Sequence, residues 1–157
     1  MLTSRERVRK VLNHELPDRV PIDLGSTSVT GMAVSTVSKL RRALGLDREG
    51  DRVKVVEPYQ MLGEVANGLK EALGVDVVGL EGRKNLFGFE NRDWKPWELF
   101  DGTPVLVPAK FNTEPEPDGS VLMYPEGDKS APPRGACRRV ASTSTPSSAS
   151  RPLRRTS

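Results

Sequence analysis

The sequence predicts an α/β fold, because segments with helical periodicity alternate with short apolar segments over the first half of the 157-residue chain. The run V-D-V-V-G-L at 75–80 is almost continuously apolar, which is typical of a parallel strand buried on both faces. Glycines at 45 and 74 follow two of the helical segments, where a left-handed residue commonly ends a helix. Together these patterns predict the order helix–strand–helix–strand–helix–strand.

Three helices are expected. Thr3 and Glu6 form a capping box, in which hydroxyl and carboxylate each accept a hydrogen bond from a free backbone N–H, and Pro17 ends this first helix. The apolar residues of the first helix are Val8, Val11 and Leu12, those of the second are Ala33, Val37, Leu40 and Leu44, and those of the third are Met61, Leu62, Val65, Leu69 and Leu73.

Strands are expected at 19–25 (R-V-P-I-D-L-G), at 53–56 and at 75–80, and a polar loop from Gly25 to Gly31 follows the first of them. After residue 102 the pattern changes. The runs T-P-V-L-V-P, A-K-F-N and S-V-L-M-Y, separated by turns such as P-D-G at 117–119, predict a β-hairpin or small meander at about 103–124. Trp94, Trp97 and Phe100 are the expected apolar anchor of this hairpin.

The last 24 residues differ in composition from the rest. They hold nine Ser or Thr residues, six arginines and no acidic residue, so that residues 1–133 contain 18 basic against 21 acidic side chains. The net charge of +3 therefore comes from the tail. A segment with so few apolar residues cannot bury enough surface to fold, and we expect 134–157 to be disordered.

No stretch approaches the roughly 20 apolar residues of a membrane span, so we expect a cytoplasmic protein without a membrane partner. The single cysteine, Cys137, excludes an intrachain disulfide and cannot form a metal site alone.

The stretch L-N-H-E-L-P-D-R-V-P-I-D at 12–23, after a helix that opens S-R-E-R-V, resembles the start of proteins of the uroporphyrinogen decarboxylase superfamily. That superfamily includes the decarboxylases and corrinoid-dependent methyltransferases, and L-K-E-A-L-G-V-D-V-V-G-L at 69–80 fits it as well. The resemblance covers 1 to about 133 and implies the N-terminal part of a (β/α)8 barrel. Because a barrel needs eight strands and about 250 residues, we expect this chain to be incomplete, to fold poorly alone and to be inactive by itself.

Barrel enzymes place reactive groups after the carboxyl ends of their strands. On this basis Asp23, at the end of the first predicted strand, and Glu57, after the second, are candidate catalytic residues. Ser26, Thr27 and Ser28 in the following loop are candidate substrate-binding residues, although an ordinary turn accounts for them equally well. His14, Asp18 and Arg19 are expected to be structural, the last two as a pair across a turn. Asp76 is either a buried residue with a partner or a sign that the strand register is wrong.

True uroporphyrinogen decarboxylases carry a loop of the form R-Q-A-G-R at this place, which binds substrate carboxylates. The loop here reads G-S-T-S-V-T-G and has no cation. The resemblance therefore favours the methyltransferase-like branch over uroporphyrinogen as substrate. It implies a small-molecule substrate for the intact parent and a corrinoid, zinc or a corrinoid protein as further components. No metal ligands are assigned in this chain.

One hypothesis for the origin of the tail is a one-base slip in the gene near the codons for residues 133–135. In the shifted reading frame, codons that are permitted for these residues spell P-E-G-G-F-Y-F-D, which resembles the continuation of the family. Two other interpretations stay open. One is a small binding module whose arginine-rich tail contacts nucleic acid, but the tail lacks aromatic residues and the body is acidic, so we do not expect this partner. The other is a small structural protein with a naturally shortened fold.

Overall fold

A computed structural model describes residues 1–80 and 82–138 and shows there a mixed α/β fold with three helices and two small sheets. The helices are α1 (Ser4–Leu12), α2 (Val34–Ala43) and α3 (Asn67–Leu73), and a 3-10 turn spans Pro125–Gly127. The strands are β1 (Val53–Glu57), β2 (Leu62–Gly63), β3 (Lys95–Glu98), β4 (Pro104–Val107), β5 (Val121–Met123) and β6 (Gly135–Cys137). No helix within these residues is long and apolar enough to cross a membrane.

The larger sheet has the order β2-β1-β4-β3. Strand β1 pairs antiparallel with β2 and parallel with β4, and β4 pairs antiparallel with β3. The smaller sheet consists of β5 and β6, antiparallel, with Val121 opposite Cys137. The larger sheet thus mixes parallel and antiparallel pairs, and the described part of the chain does not display the first strands of a parallel barrel.

Alternating residues of β1 and β4 build the core. Val55, Val105 and Val107 are fully buried, and Val37 of α2 packs on the same side. Gly63 permits this approach, because a Cβ at that position would lie 2.9 Å from a backbone atom of α2. Each fully buried valine contributes about 1.5–3 kcal/mol of transfer free energy. Phe89, Phe111 and Met123 extend the core toward the smaller sheet.

Helix α1 begins at the predicted capping box, which the structure confirms. Its predicted apolar stripe is largely exposed, since Leu12 is 74% accessible. The helix is held instead by the buried side chain of Arg7, whose Nε lies 2.7 Å from Asp18 and whose Nη1 lies 2.5 Å from Asp76. The apolar spacing in the sequence therefore predicted the helix, but it did not predict the ion pairs of Arg7 that attach the helix to the rest of the fold.

The side chain of Asp76 is buried and has partners, which corresponds to the first of the two alternatives left open for it. Its carboxylate is fully buried and accepts hydrogen bonds from Arg7, from Arg19 at 2.7 Å and from the backbone N–H of Ile22 at 2.9 Å. Asp18 and Arg19 do not form the side-chain pair that their spacing allowed, because Asp18 pairs with Arg7 and Arg19 pairs with Asp76.

Two predicted strands do not form. Residues 19–25 and 75–80 are irregular, joined by one backbone hydrogen bond from the N–H of Asp76 to the carbonyl of Ile22. Val20 and Val78 are 80% and 72% exposed rather than buried. The reason is local: the N–H of Ile22 donates to the Asp76 side chain, so it does not join a strand ladder. Residues 53–56, by contrast, form β1 as predicted.

The third helix begins at Asn67, six residues later than its first predicted apolar position, because Leu62 and Gly63 pair with β1 instead. Gly74 ends it in the left-handed conformation, at φ 64°, as predicted.

The prediction of a hairpin at 103–124 is wrong, because the strands of this region do not pair with each other. Strand β4 pairs with β1 and β3, whereas β5 pairs with β6, and 109–112 form no strand. Trp97 does anchor this region, since its ring lies 5.1 Å from that of Phe111 and 6.0 Å from that of Phe100. Strand β6 falls within the segment expected to be disordered, so order extends at least to Cys137. The remainder of that predicted tail, 139–157, lies outside the described residues.

Candidate functional site

A cleft of about 770 Å³ opens between the loop 25–31, the turn after β1, the start of α3, Leu80 and the segment 82–91. Its volume lies in the range of small-molecule sites. Ser26, Thr27, Ser28 and Glu57 all line it, so the structure brings four of the five predicted site residues to one place. Asp23 is not among the lining residues.

Asp23 stabilises the loop 25–31 through hydrogen bonds to its carboxylate. One carboxylate oxygen accepts a hydrogen bond from the hydroxyl of Ser26 at 2.5 Å, and the other accepts from the hydroxyl of Thr30 at 3.2 Å and the backbone N–H of Ser26 at 3.3 Å. A backbone hydrogen bond from Gly25 to the carbonyl of Thr30 closes the loop. These contacts give Asp23 a positioning role, because its oxygens are used within the loop itself.

The hydroxyls of the loop are unequally engaged. Thr27 Oγ1 accepts hydrogen bonds from the backbone N–H groups of Val29 and Thr30, at 3.2 and 3.4 Å. Ser28, which is exposed, makes no side-chain hydrogen bond to any residue within 1–80 or 82–138. Ser28 is therefore the loop hydroxyl that has its full donor and acceptor capacity for a ligand.

Three glycines fix where the loop lies. A Cβ at Gly25 would come within 2.6 Å of Val65, one at Gly31 would overlap Leu62, and one at Gly79 would overlap the backbone carbonyl of Ser26. Gly25 also has φ +78°, a conformation that other residues rarely adopt. The loop thus rests directly on β2, on Val65 between β2 and α3, and on the backbone of residue 79.

Glu57 lies at the end of β1 and is half-buried. Its two carboxylate oxygens accept hydrogen bonds from the backbone N–H groups of Tyr59 and Gln60, at 3.0 and 2.7 Å. The carboxylate therefore stabilises the turn that follows β1 while it lines the cleft. Proton transfer by Glu57 would compete with these two hydrogen bonds.

Residues that local sequence patterns did not identify form the opposite wall. The side-chain amide of Asn91 donates to the carbonyl of Val56 at 2.7 Å, and that of Asn85 donates to Asn91 at 3.0 Å. Asn85 Oδ1 in turn accepts from the N–H of Phe87. This chain of amides ties the 85–91 segment to the end of β1, next to Glu57.

Two lysines, Lys70 and Lys84, also line the cleft, together with Glu64. No arginine is among the lining residues that the structure describes. No group of three His, Cys, Asp or Glu side chains that could hold a metal ion occurs in 1–80 and 82–138. Because a catalytic zinc takes three protein ligands, these residues do not fit a zinc ion by themselves.

Comparisons of the chain with protein-family models, with curated proteins and with solved structures give no match. The interpretation of the cleft therefore depends on its own geometry and on the resemblance of residues 12–23 and 69–80.

Proposed function

We propose that the chain is the N-terminal part of a uroporphyrinogen decarboxylase-like barrel enzyme, and that the cleft is the portion of the substrate site which this part contributes. The observation that carries the proposal is the convergence of Ser26–Ser28 and Glu57 on one cleft. They follow two segments with strand-like sequences, 19–25 and 53–56, of which only the second forms a strand here. In a barrel, residues that follow neighbouring strands share a site.

A second observation supports an incomplete barrel. The segments 19–25 and 75–80 have strand-like sequences but leave several apolar side chains exposed, among them Val20, Val78 and the fully exposed Leu80. In a barrel, strands of this character are covered by neighbours on both sides. We infer that further chain would pair with these segments in the intact enzyme.

The reaction proposed for the intact parent is decarboxylation of a tetrapyrrole-type substrate or corrinoid-linked methyl transfer. The cleft favours the second, because several carboxylates of a porphyrinogen call for fixed guanidinium groups, and the described lining residues offer none. A corrinoid would supply the methyl-transfer chemistry. The described residues would orient the substrate through the hydroxyl of Ser28 and the amides of the 85–91 wall, with Asp23 and Glu57 holding the two loops in place.

The experiment that tests the proposal is resequencing of the gene from the codon for Ala131 through the region beyond the stop. We expect a shifted frame that stays open for about 200 codons and continues the alternation of strands and helices, as a barrel requires. A shifted frame that closes within a few tens of codons, together with a confirmed sequence at 133–135, would overturn the proposal.

A further inference from the structure

We propose that the cleft binds the anionic group of a small organic ligand, a carboxylate or a phosphate, and that Lys70 is the residue that binds it. The inference rests on the proposed function only in taking the cleft as a ligand site. It names the residue of this chain that binds the ligand and the charge of the group that this residue selects.

Among the described residues that line the cleft, the ion pairs leave the ammonium of Lys70 available. Glu57 accepts two backbone hydrogen bonds, Glu64 lies 3.4 Å from the ammonium of Lys54, and Lys84 lies 3.1 Å from Glu126. Lys70, by contrast, has no carboxylate within ion-pair distance among the residues that the structure describes. A ligand in this cleft therefore meets carboxylates that are already engaged and an ammonium group that is not.

The neutral groups beside Lys70 add hydrogen-bond donors. The side-chain amides of Gln60 and Asn67 and the hydroxyl of Ser28 line the same cleft. None of the three makes a side-chain hydrogen bond within 1–80 and 82–138. Lysine donates three hydrogen bonds and accepts none, while an amide donates two. The amide and hydroxyl oxygens also accept, so the preference for a negatively charged group comes from the ammonium of Lys70, while the neutral groups can donate to the oxygens of that group.

Helix α3 fixes the place of Lys70. Its neighbour Leu69 is 1% exposed and anchors the helix in the core, and Gly74 ends the helix. Lys70 is half-buried and lines the cleft, and the helix that carries it is held in the core by Leu69 and ends at Gly74.

The rest of the cleft fits an organic body better than an inorganic ion alone. Its volume of about 770 Å³ exceeds what a single small anion fills. Leu62, Val65 and the exposed side chains of Leu80 and Leu86 also line it. An apolar ligand body covering the two exposed leucines would gain about 25 cal/mol per Å² of apolar surface removed from water.

The test uses three probes with one ring and different head groups: benzoate, phenyl phosphate and the neutral benzamide. Each is titrated into the 15N-labelled full chain, and the amide resonances of 26–28 and 70 are followed. We expect saturable shifts with an anion and not with benzamide, and the anion that binds more tightly identifies carboxylate or phosphate as the preferred group.

Lys70→Gln should weaken binding of that anion about tenfold, the loss expected for one charge-assisted hydrogen bond. Lys39→Gln is the matched control, because it removes the same charge from an exposed position on α2 outside the cleft. Equal binding of benzamide, unchanged binding by Lys70→Gln, or no saturable shift with either anion overturns the inference. Lys70-dependent binding together with a closed reading frame would refute the proposed function alone. An open frame with Lys70-independent binding would refute this inference alone.

Discussion

The guanidinium of Arg7 and the carboxylate of Asp76 form an ion pair of 2.5 Å across 69 positions of sequence. Their side chains are only 4% and 0% exposed. The pair joins the first turn of α1 to the segment that follows α3, and Asp18 and Arg19 complete the charge balance around it. Removing one member leaves the others buried and incompletely paired, which is the costly way to break such a network.

Asp76→Ala should therefore lower the Tm of the full chain by about 10 °C, measured by circular dichroism. The matched control is Lys10→Met, which breaks the exposed Lys10–Glu15 pair at 3.0 Å and should change the Tm by no more than about 2 °C. Similar small effects of both substitutions would show that the Arg7–Asp76 pair does not hold α1 in place.

Stability should fall in acid because of the same network. Hydrogen bonds from the Arg7 guanidinium hold the pKa of Asp18 well below its usual range. Burial acts to raise the pKa of Asp76, but hydrogen bonds from the N–H of Ile22 and from the two guanidinium groups lower it by more. Carboxylates with a lower pKa in the folded state stabilise the fold above their unfolded pKa of about 3.9. This contribution is lost as the pH falls through the folded values.

We therefore expect the free energy of unfolding in urea to be nearly constant from about pH 7 to pH 5 and to decline below about pH 4. Asp18→Asn should be less stable at neutral pH and should show a shallower decline in acid. A wild-type-like acid slope in this variant would contradict the assignment of Asp18 to the titration.

Gly79→Ala should displace the loop 25–31. A Cβ at position 79 would overlap the carbonyl of Ser26 and lie 2.7 Å from its carbon, so one backbone must move. We expect amide resonance changes at 25–31 and weaker anion binding in the cleft. Gly68→Ala is the control, since nothing lies within 4 Å of its Cβ position, and in helix α3 it should stabilise by about 0.5–1 kcal/mol. An unmoved loop in Gly79→Ala would contradict the close approach.

The thiol of Cys137 should react slowly. Burial raises its pKa, which lowers the fraction of reactive thiolate, and pairing of β6 with β5 shields it further. We expect its reaction with Ellman's reagent at about pH 8 to be at least tenfold slower than that of an unstructured peptide, and to reach the peptide rate in urea. Met123→Ala, which weakens the smaller sheet, should accelerate it. A peptide-like rate without urea would mean that β6 is not packed against β5.

Local signals predicted those elements whose stabilising contacts are local. The capping box of Thr3 and Glu6 and the left-handed Gly74 involve neighbours within one helical turn, and both occur where predicted. The apolar spacing from Met61 onward suits a helix, but Leu62 forms a strand because β1 offers it a partner. The segment 75–80 has the composition of a buried strand, yet the structure provides no adjacent strand for it.

The residues of the candidate site likewise fall into those that the sequence predicted and those that it did not. Ser26–Ser28 and Glu57 were found because each follows a candidate strand, a rule that needs only sequence order. Asp23, found by the same rule, lies behind the loop because Ser26 and Thr30 donate to its oxygens. Lys70 and Asn91 were missed. Lys70 lies on helix α3, whose packing against the cleft is a tertiary feature, and Asn91 lies on an irregular segment whose path no local pattern encodes.

The parallel contact of Val53 with Val105 has a consequence for biosynthesis. Strand β2 can pair with β1 as soon as both have been translated, but β4 must first close a loop of about 50 residues, and the entropy of that closure slows the step. During translation, the valines of β1 therefore stay without their partner strand β4 until that strand has left the ribosome. A nascent chain stalled before residue 104 would expose them, and such intermediates are the species that chaperones bind.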